Sequence, residues 1–223
     1  MSDPDFQRAR RPEQKEERRE RLLVVARDLL ARDPDPQSLS LNELAREAGM
    51  AKSNVYRYFE SREAVLLELL SQDWGSCFED ARTRLMRASK RGRVTLERLV
   101  RIITESILRY PLLGPLSSVL PSIIEHNVSV DTVRSFKLSS MQLVQELARL
   151  CHACGPDLPI AAYEELAHFS FTLLIGLWPL SHPSQSVQQA LQAPELAAFR
   201  HEFSRDFERG LLVFARGLLN TVP

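Results

Sequence analysis

The sequence predicts an all-α protein. Apolar residues make up 44% of the chain against only eight glycines. Stretches rich in Leu, Ala, Glu and Arg place their apolar residues three or four apart, and no segment competes with the two-residue alternation of a strand. At 223 residues the chain is long enough to bury a core without disulfide staples. About nine helices are expected, arranged as a small N-terminal helix-turn-helix domain and a larger C-terminal helical domain.

The first helix runs from Pro12, suited to a first-turn position, to about Arg32, with Leu22, Val25, Ala26, Leu29 and Leu30 on one face. The segment RDPDPQS breaks it with two prolines. Ser40 and Glu43 then have the S-x-x-E spacing of a capping box, Leu41, Leu44, Ala45 and Ala48 line one face, and Gly49 fits a left-handed C′ position. A third, very short helix spans Lys52 to Phe59, with Val55 and Phe59 inward. Ser61 caps a fourth helix whose stripe of Leu66, Leu67, Leu70, Trp74, Phe78, Ala81 and Leu85 is long enough to join two compact regions.

Further on, residues 93–110 form a fifth helix closed by Pro111, and Pro115 and Pro121 permit only a short or broken sixth. The seventh covers Val130 to Cys154 and stops at Gly155-Pro156. Residues 160–180 are apolar nearly all round, which predicts an eighth helix buried on most sides. After a polar linker, Pro194 opens a ninth whose Leu196, Phe199, Phe203, Phe207, Leu211, Phe214 and Leu218 step by three or four. The expected division is an arm at 1–11, a helix-turn-helix domain at 12–60 and an effector-binding and dimerisation domain at 61–223.

Charge excludes bulk attraction to nucleic acid: 29 Lys+Arg balance 29 Asp+Glu, so such binding must come from local placement. The start lacks a signal-peptide core, and the longest apolar run, 171–180, falls short of a membrane span. A cytoplasmic protein without membrane contact is expected. Three cysteines, Cys77, Cys151 and Cys154, make no disulfide framework. No nucleophile, base and orienting group fall at a recognisable spacing, so neither catalytic residues nor a cofactor are expected.

AGMAKSNVYRYFESREAVL, residues 48–66, carries many hydrogen-bonding groups beside few core residues. A reading helix has this character, because it keeps one small apolar side for its own domain and leaves the rest to phosphates and base edges. Lys52, Ser53 and Asn54 can reach bases, and Asn pairs bidentately with adenine. Tyr56, Tyr58, Arg57 and Arg62 suit phosphates. The L-x-x-L-A-x-x-A-G turn at 41–49, the Y-x-x-F of Tyr56 and Phe59, and the S-R-E of 61–63 resemble the DNA-binding signature of TetR-type (tetracycline-repressor-like) regulators over about residues 15–70. The resemblance implies DNA contacts by Lys52, Ser53, Asn54, Tyr56, Arg57, Tyr58 and Arg62, a C-terminal domain that binds a small effector, and a homodimer on a double-stranded palindromic operator. Ala51 departs from the usual Ser or Thr and offers no side-chain oxygen to cap the third helix. Arg8, Arg10 and Arg11 are candidates for a basic arm in the minor groove.

An effector would lie in a mostly apolar cavity among the fourth to eighth helices. Trp74, Phe78, Met86, Ile103, Met141, Tyr163, His168, Phe171, Thr172 and Trp178 are the candidates for its wall. Phe199, Phe203, Phe207, Leu211 and Phe214 form an aromatic stripe expected to pair with a second copy. Two alternatives stay open: an effector-free architectural DNA-binding protein of the same fold, and a thiol or metal sensor built on Cys151 and Cys154. A lone C-x-x-C is weak support for zinc, so no metal is expected.

Overall fold

The computed structural model describes residues 12–221, all helix and connecting turn. Arg8, Arg10 and Arg11 lie outside the described residues. Helices α1 (Pro12–Arg32), α2 (Leu41–Glu47) and α3 (Lys52–Val55) form the N-terminal part. They are followed by α4 (Arg62–Ala88), α5 (Leu96–Leu108), α6 (Leu113–Val119), α7 (Val130–Cys154), α8 (Ile160–Ser181), α9 (Gln185–Ala190) and α10 (Phe203–Thr221).

Local chemistry sets the helix-turn-helix. Ser40 Oγ accepts from Glu43 N–H at 3.1 Å, half of a capping box, while Glu43 pairs instead with Arg46 at 3.2 Å. At the other end of α2, Met50 N–H donates to the Ala45 carbonyl (2.9 Å) and Gly49 N–H to that of Arg46 (3.1 Å). That Schellman pair requires a left-handed residue, and Gly49 has φ of 65°. Gly49→Ala is expected to cost about 1 kcal/mol in urea unfolding, purely from backbone strain, since no atom lies within 4 Å of a Cβ there. Regular α3 ends at Val55 and the chain continues as a turn through Tyr58, shorter than the spacing predicts. Val55 and Phe59 are buried as expected.

Ser61 Oγ caps α4 by accepting from Ala64 N–H at 3.1 Å. Its 27 residues extend about 40 Å. α4 packs against α1 on one side and α5, α6 and α7 on the other. Arg19 pairs with Glu68 at 2.9 Å and Arg27 with the buried Asp73 at 2.6 Å, fastening α1 along α4. Pro121 lacks an N–H, so the ladder after α6 widens to a π turn at Leu120–Ile124 before a 3₁₀ turn at Glu125–Asn127.

Two expectations are corrected. α8 is long and apolar enough by length and composition to cross a membrane, yet it is a core helix: Tyr163, Leu166, Leu174 and Leu177 are buried against α6, α7 and α10. It is not buried on most sides, because Glu165, Thr172, Gly176 and Leu180 are exposed. The last long helix opens at Phe203, not at Pro194. Pro194–Phe199 is a 3₁₀ turn, and the Arg200 guanidinium ties it back by donating to the carbonyls of Leu191 (2.6 Å), Gln192 (3.0 Å) and Ala193 (3.1 Å). The start of α10 is fixed by reciprocal caps. The Glu202 carboxylate accepts from Ser204 N–H (3.1 Å) and Arg205 N–H (2.7 Å), and Asp206 Oδ2 accepts from Glu202 N–H (3.1 Å).

Candidate nucleic-acid interface and effector cavity

Lys52, Ser53, Asn54 and Arg57 are exposed on α3 and the turn after it, and Tyr56 is 50% exposed. Among the described residues none of these five side chains has a hydrogen bond or ion pair, and Lys52 Nζ lies 5.8 Å from the centre of the Tyr56 ring. Exposed donors without internal partners are open to water or to the acceptors of a partner. Ala51 makes no side-chain cap to α3, as its departure from Ser or Thr implies. Tyr58 is half-buried against the core. Arg62 is engaged internally: its guanidinium donates twice to Glu63 Oε1 (2.9 and 2.7 Å) and once to the Gln37 carbonyl (2.9 Å). That arrangement makes Arg62 a brace between α4 and the loop before α2, and only a regrouping of these bonds would free it for a phosphate.

The chain leaving this tip is latched to α7. Glu60 Oε1 accepts from Ser129 N–H and from Thr132 Oγ1, both at 2.9 Å, and Ser61 Oγ donates to the Asn127 carbonyl at 2.9 Å. Those bonds hold the Glu60 carboxyl below its ordinary range, the Ser129 N–H contributing most. Sequence reasoning missed the latch because its partners are about seventy residues apart and each alone reads as an ordinary cap.

One turn beyond Thr132, α7 becomes the wall of a cavity of about 340 Å³ enclosed with α4, α5 and α8. Six of the ten candidates, Trp74, Phe78, Ile103, Met141, His168 and Phe171, line it. Trp74 and Phe171 meet edge to face, ring centres 6.0 Å apart. The prediction missed Cys77, Ser106, Leu120, Phe136, Lys137 and Ser140. Helical spacing marks α7 as amphipathic but does not say which neighbour its face meets.

Four candidates lie elsewhere. Met86 is 51% exposed near the end of α4, beyond Ala81, the last residue of that helix on the cavity wall. Tyr163 is buried, and its hydroxyl donates to the Pro156 carbonyl at 2.8 Å, so an internal acceptor satisfies the polar atom that suggested a ligand. Thr172 is exposed and bonds back to His168 of its own helix. Trp178 stacks on His182 at 3.8 Å and meets Phe203 edge-on at 5.0 Å. Its ring leaves no room beside Gly114, where an added Cβ would sit 2.1 Å from the indole.

Cys151 and Cys154 are buried, and burial pushes the Cys151 thiol up to about 12. That is opposite to the lowered value of a reactive thiolate. Between them, His152 Nδ1 contacts the Leu158 carbonyl at 2.7 Å. No group of three or more potential metal ligands occurs among the described residues.

The aromatic stripe is mostly covered within the protomer. Phe203, Phe207 and Leu211 are buried, and Phe214 stacks on Phe169 with ring centres 3.9 Å apart. Their four-residue step faces α5 and α8, which the sequence pattern alone could not distinguish from a second copy. Phe199 is exposed, but on the 3₁₀ turn outside α10. The apolar surface that does remain open on α8 and α10 includes Leu180 and Val213, the latter 63% exposed.

Comparison with known proteins accounts for both parts. Residues 22–69 match the family of bacterial regulatory proteins called tetR, and residues 71–222 match the tetracyclin repressor-like C-terminal domain. An uncharacterized HTH-type transcriptional regulator of Mycobacterium tuberculosis is 38% identical over 65 residues, 29% of this chain and 30% of that relative. The match thus spans under a third of the relative's own length. A TetR transcriptional regulator from Rhodococcus sp. RHA1 superposes with a TM-score of 0.56 over 95% of this chain and 99% of its own, at 16% identity. A second solved regulatory protein gives 0.52 over 93% and 98%, at 18% identity. At such identities the likeness is one of fold. The family match nevertheless extends through nearly all the described helices, and the chain belongs to the tetracycline-repressor-like family of DNA-binding transcriptional regulators.

Proposed function

We propose that the protein is a homodimeric repressor that holds a palindromic operator and releases it when a small apolar or aromatic molecule enters the cavity between α4, α5, α7 and α8. The observation that carries this reading is the latch of Glu60 and Ser61 on Asn127, Ser129 and Thr132. The residues that follow α3 are bonded to the helix whose next turns, from Phe136, wall the cavity. A ligand that shifts α7 therefore pulls on the exit of the reading helix, and operator and effector oppose each other reciprocally. The open cavity disfavours the effector-free architectural alternative, and the buried, protonated Cys151 disfavours a thiol sensor.

In this reading Lys52, Tyr56 and Arg57 meet phosphates, while Ser53 and Asn54 reach base edges. Selection of random duplexes by the purified protein is expected to recover a palindrome with half-sites about one DNA turn, roughly 34–36 Å, apart. Asn54→Ala should relax one position per half-site, costing about 1–3 kcal/mol there. Lys52→Ala should weaken every duplex alike and reduce the salt slope by about one unit. An unchanged sequence preference for Asn54→Ala would remove its base-reading role, and recovery of no palindrome would remove the symmetric operator.

A further inference from the structure

We propose that the Arg27–Asp73 bridge is a proton-operated joint: uptake of one proton by Asp73 releases Arg27, loosens α1 from α4 and weakens the hold on the operator. The bridge ties the N-terminal part to the rod behind the cavity wall. Asp73 meets α1, while its chain neighbour Trp74 and, one turn on, Cys77 line the cavity. Asp73 is 3% exposed. Its Oδ1 accepts from Arg27 Nη1 at 2.6 Å, and its buried Oδ2 has no hydrogen-bond partner among the described residues. A carboxylate out of water holds its charge at a high cost unless both oxygens are satisfied, and this one is half satisfied. Burial accordingly lifts the carboxyl above its ordinary range, and the single bridge to Arg27 opposes the lift without cancelling it.

The surrounding charges leave the joint to these two residues. From α1 comes Glu20, which accepts from Gln72 Nε2 at 3.1 Å. α4 brings Cys77 and Asp80, and the turn after α5 brings Arg109 and Tyr110. Asp80 is engaged by Arg84 (3.0 Å), Arg109 (3.6 Å) and Ser106 (2.8 Å). Burial raises the Cys77 thiol to about 12 and raises the Tyr110 hydroxyl, so neither ionises near neutrality. Once Asp73 is neutral, Arg27 keeps only Gln72 Oε1 at 3.4 Å, and its side chain, 40% exposed, can turn to water. The Arg19–Glu68 bridge at 2.9 Å remains, with the Arg19 guanidinium 5.2 Å from the centre of the Phe59 ring. α1 is then pinned beside the exit of α3 and released farther along, so it pivots. The sign of the linkage separates this motion from unfolding. A carboxyl whose native pKa lies above the unfolded value of about 3.9 binds its proton more tightly when folded. Acidification through that window removes the bridge while this group adds to global stability.

The test follows the full-length protein by fluorescence anisotropy on a duplex recovered by selection, from about pH 8 to about pH 5, for the wild type, Asp73→Asn, Arg27→Gln and Arg27→Lys. At the alkaline end the wild type is expected to bind about tenfold tighter than Asp73→Asn, the scale of one charge-assisted hydrogen bond, and the ratio should narrow as the pH falls. Taking the ratio to Asp73→Asn cancels the titration of every other group. Arg27→Gln should match Asp73→Asn, and Arg27→Lys should keep the pH dependence. In the DNA-free protein, amide exchange along α1, corrected for the chemical rate, should rise on acidification in the wild type and not in Asp73→Asn. The wild-type melting temperature should not fall relative to that variant. A ratio constant across the range, or α1 exchange with the same pH dependence in both proteins, overturns the joint. So does an acid loss of binding that tracks a falling relative melting temperature. If Asp73→Asn fails to fold, the partly exposed Arg27→Gln serves as the reference. Neither readout uses an effector, so failure of the cavity reading leaves the outcome intact, and if selection recovers no duplex the exchange measurement decides.

Discussion

Val213→Asp is expected to yield a folded monomer whose operator affinity falls by about a hundredfold or more. At 63% exposure the new carboxylate stays hydrated in a lone protomer, so thermal stability should hardly change. In a two-fold contact each copy meets the same patch of the other. The open surface of α8 and α10 would therefore bring two like charges together out of water, at a cost of several kcal/mol, where each ~1.4 kcal/mol is tenfold. Sedimentation velocity and fluorescence anisotropy on a two-half-site duplex, run side by side, read both effects. A variant that remains dimeric and binds like the wild type would place the dimer contact elsewhere. Phe203→Asp would not make this distinction, because Phe203 is buried against Trp178 and Phe207 within its own protomer and its loss disrupts the fold first.

Gly114→Ala is expected to remove about 3 kcal/mol of stability, the upper range for overpacking a core by one methyl group. The Cβ would lie 2.1 Å from Trp178 Cε3, against a comfortable carbon separation of about 3.5–4.0 Å. The indole cannot retreat freely, since His182 covers its face at 3.8 Å and Phe203 its edge at 5.0 Å. Relief must come from separating α6 and α8. Urea unfolding should show a lower midpoint with an unchanged slope. Gly75→Ala is the control: no atom lies within 4 Å of a Cβ there, and in mid-helix it should be neutral or stabilising by up to about 1 kcal/mol. A loss at Gly114 no larger than at Gly75 would show that the α6–α8 contact yields easily.

The N-terminal part was legible in the sequence because its determinants are local. The Ser40 cap, the left-handed Gly49 and the Val55–Phe59 pair all act within one or two turns. The cavity was half legible. Trp74, Phe78 and Phe171 sit on faces that composition alone marks as inward, but Tyr163 and Trp178 looked equally suitable until Pro156 and Gly114 supplied tertiary partners. Cavity wall and core share one apolar pattern, and long-range packing separates them. The stripe on α10 carries the same ambiguity: a four-residue step announces a buried face without naming what buries it. The break before α10 did carry a signal, the acidic pair Glu202 and Asp206 four apart, each able to cap exposed N–H groups.

Hybrid regulators made by joining two relatives within α4 inherit a constraint from the pairing of that helix with α1. A seam between residues 69 and 71, where the two family matches meet, would put Arg27 and Asp73 in different parents. If residues 71–221 received a foreign N-terminal part without the arginine, Asp73 would keep its burial and lose the partner of Oδ1, while Oδ2 has no hydrogen-bond partner to begin with. Burial already raises its pKa against the opposing pull of Arg27, so the orphaned carboxyl would take up a proton at higher pH or force the helices apart. Moving the seam beyond Asp73 keeps the Arg19–Glu68 and Arg27–Asp73 bridges within one parent. The transplantable unit is then the reading head together with the first three turns of the rod that carries it.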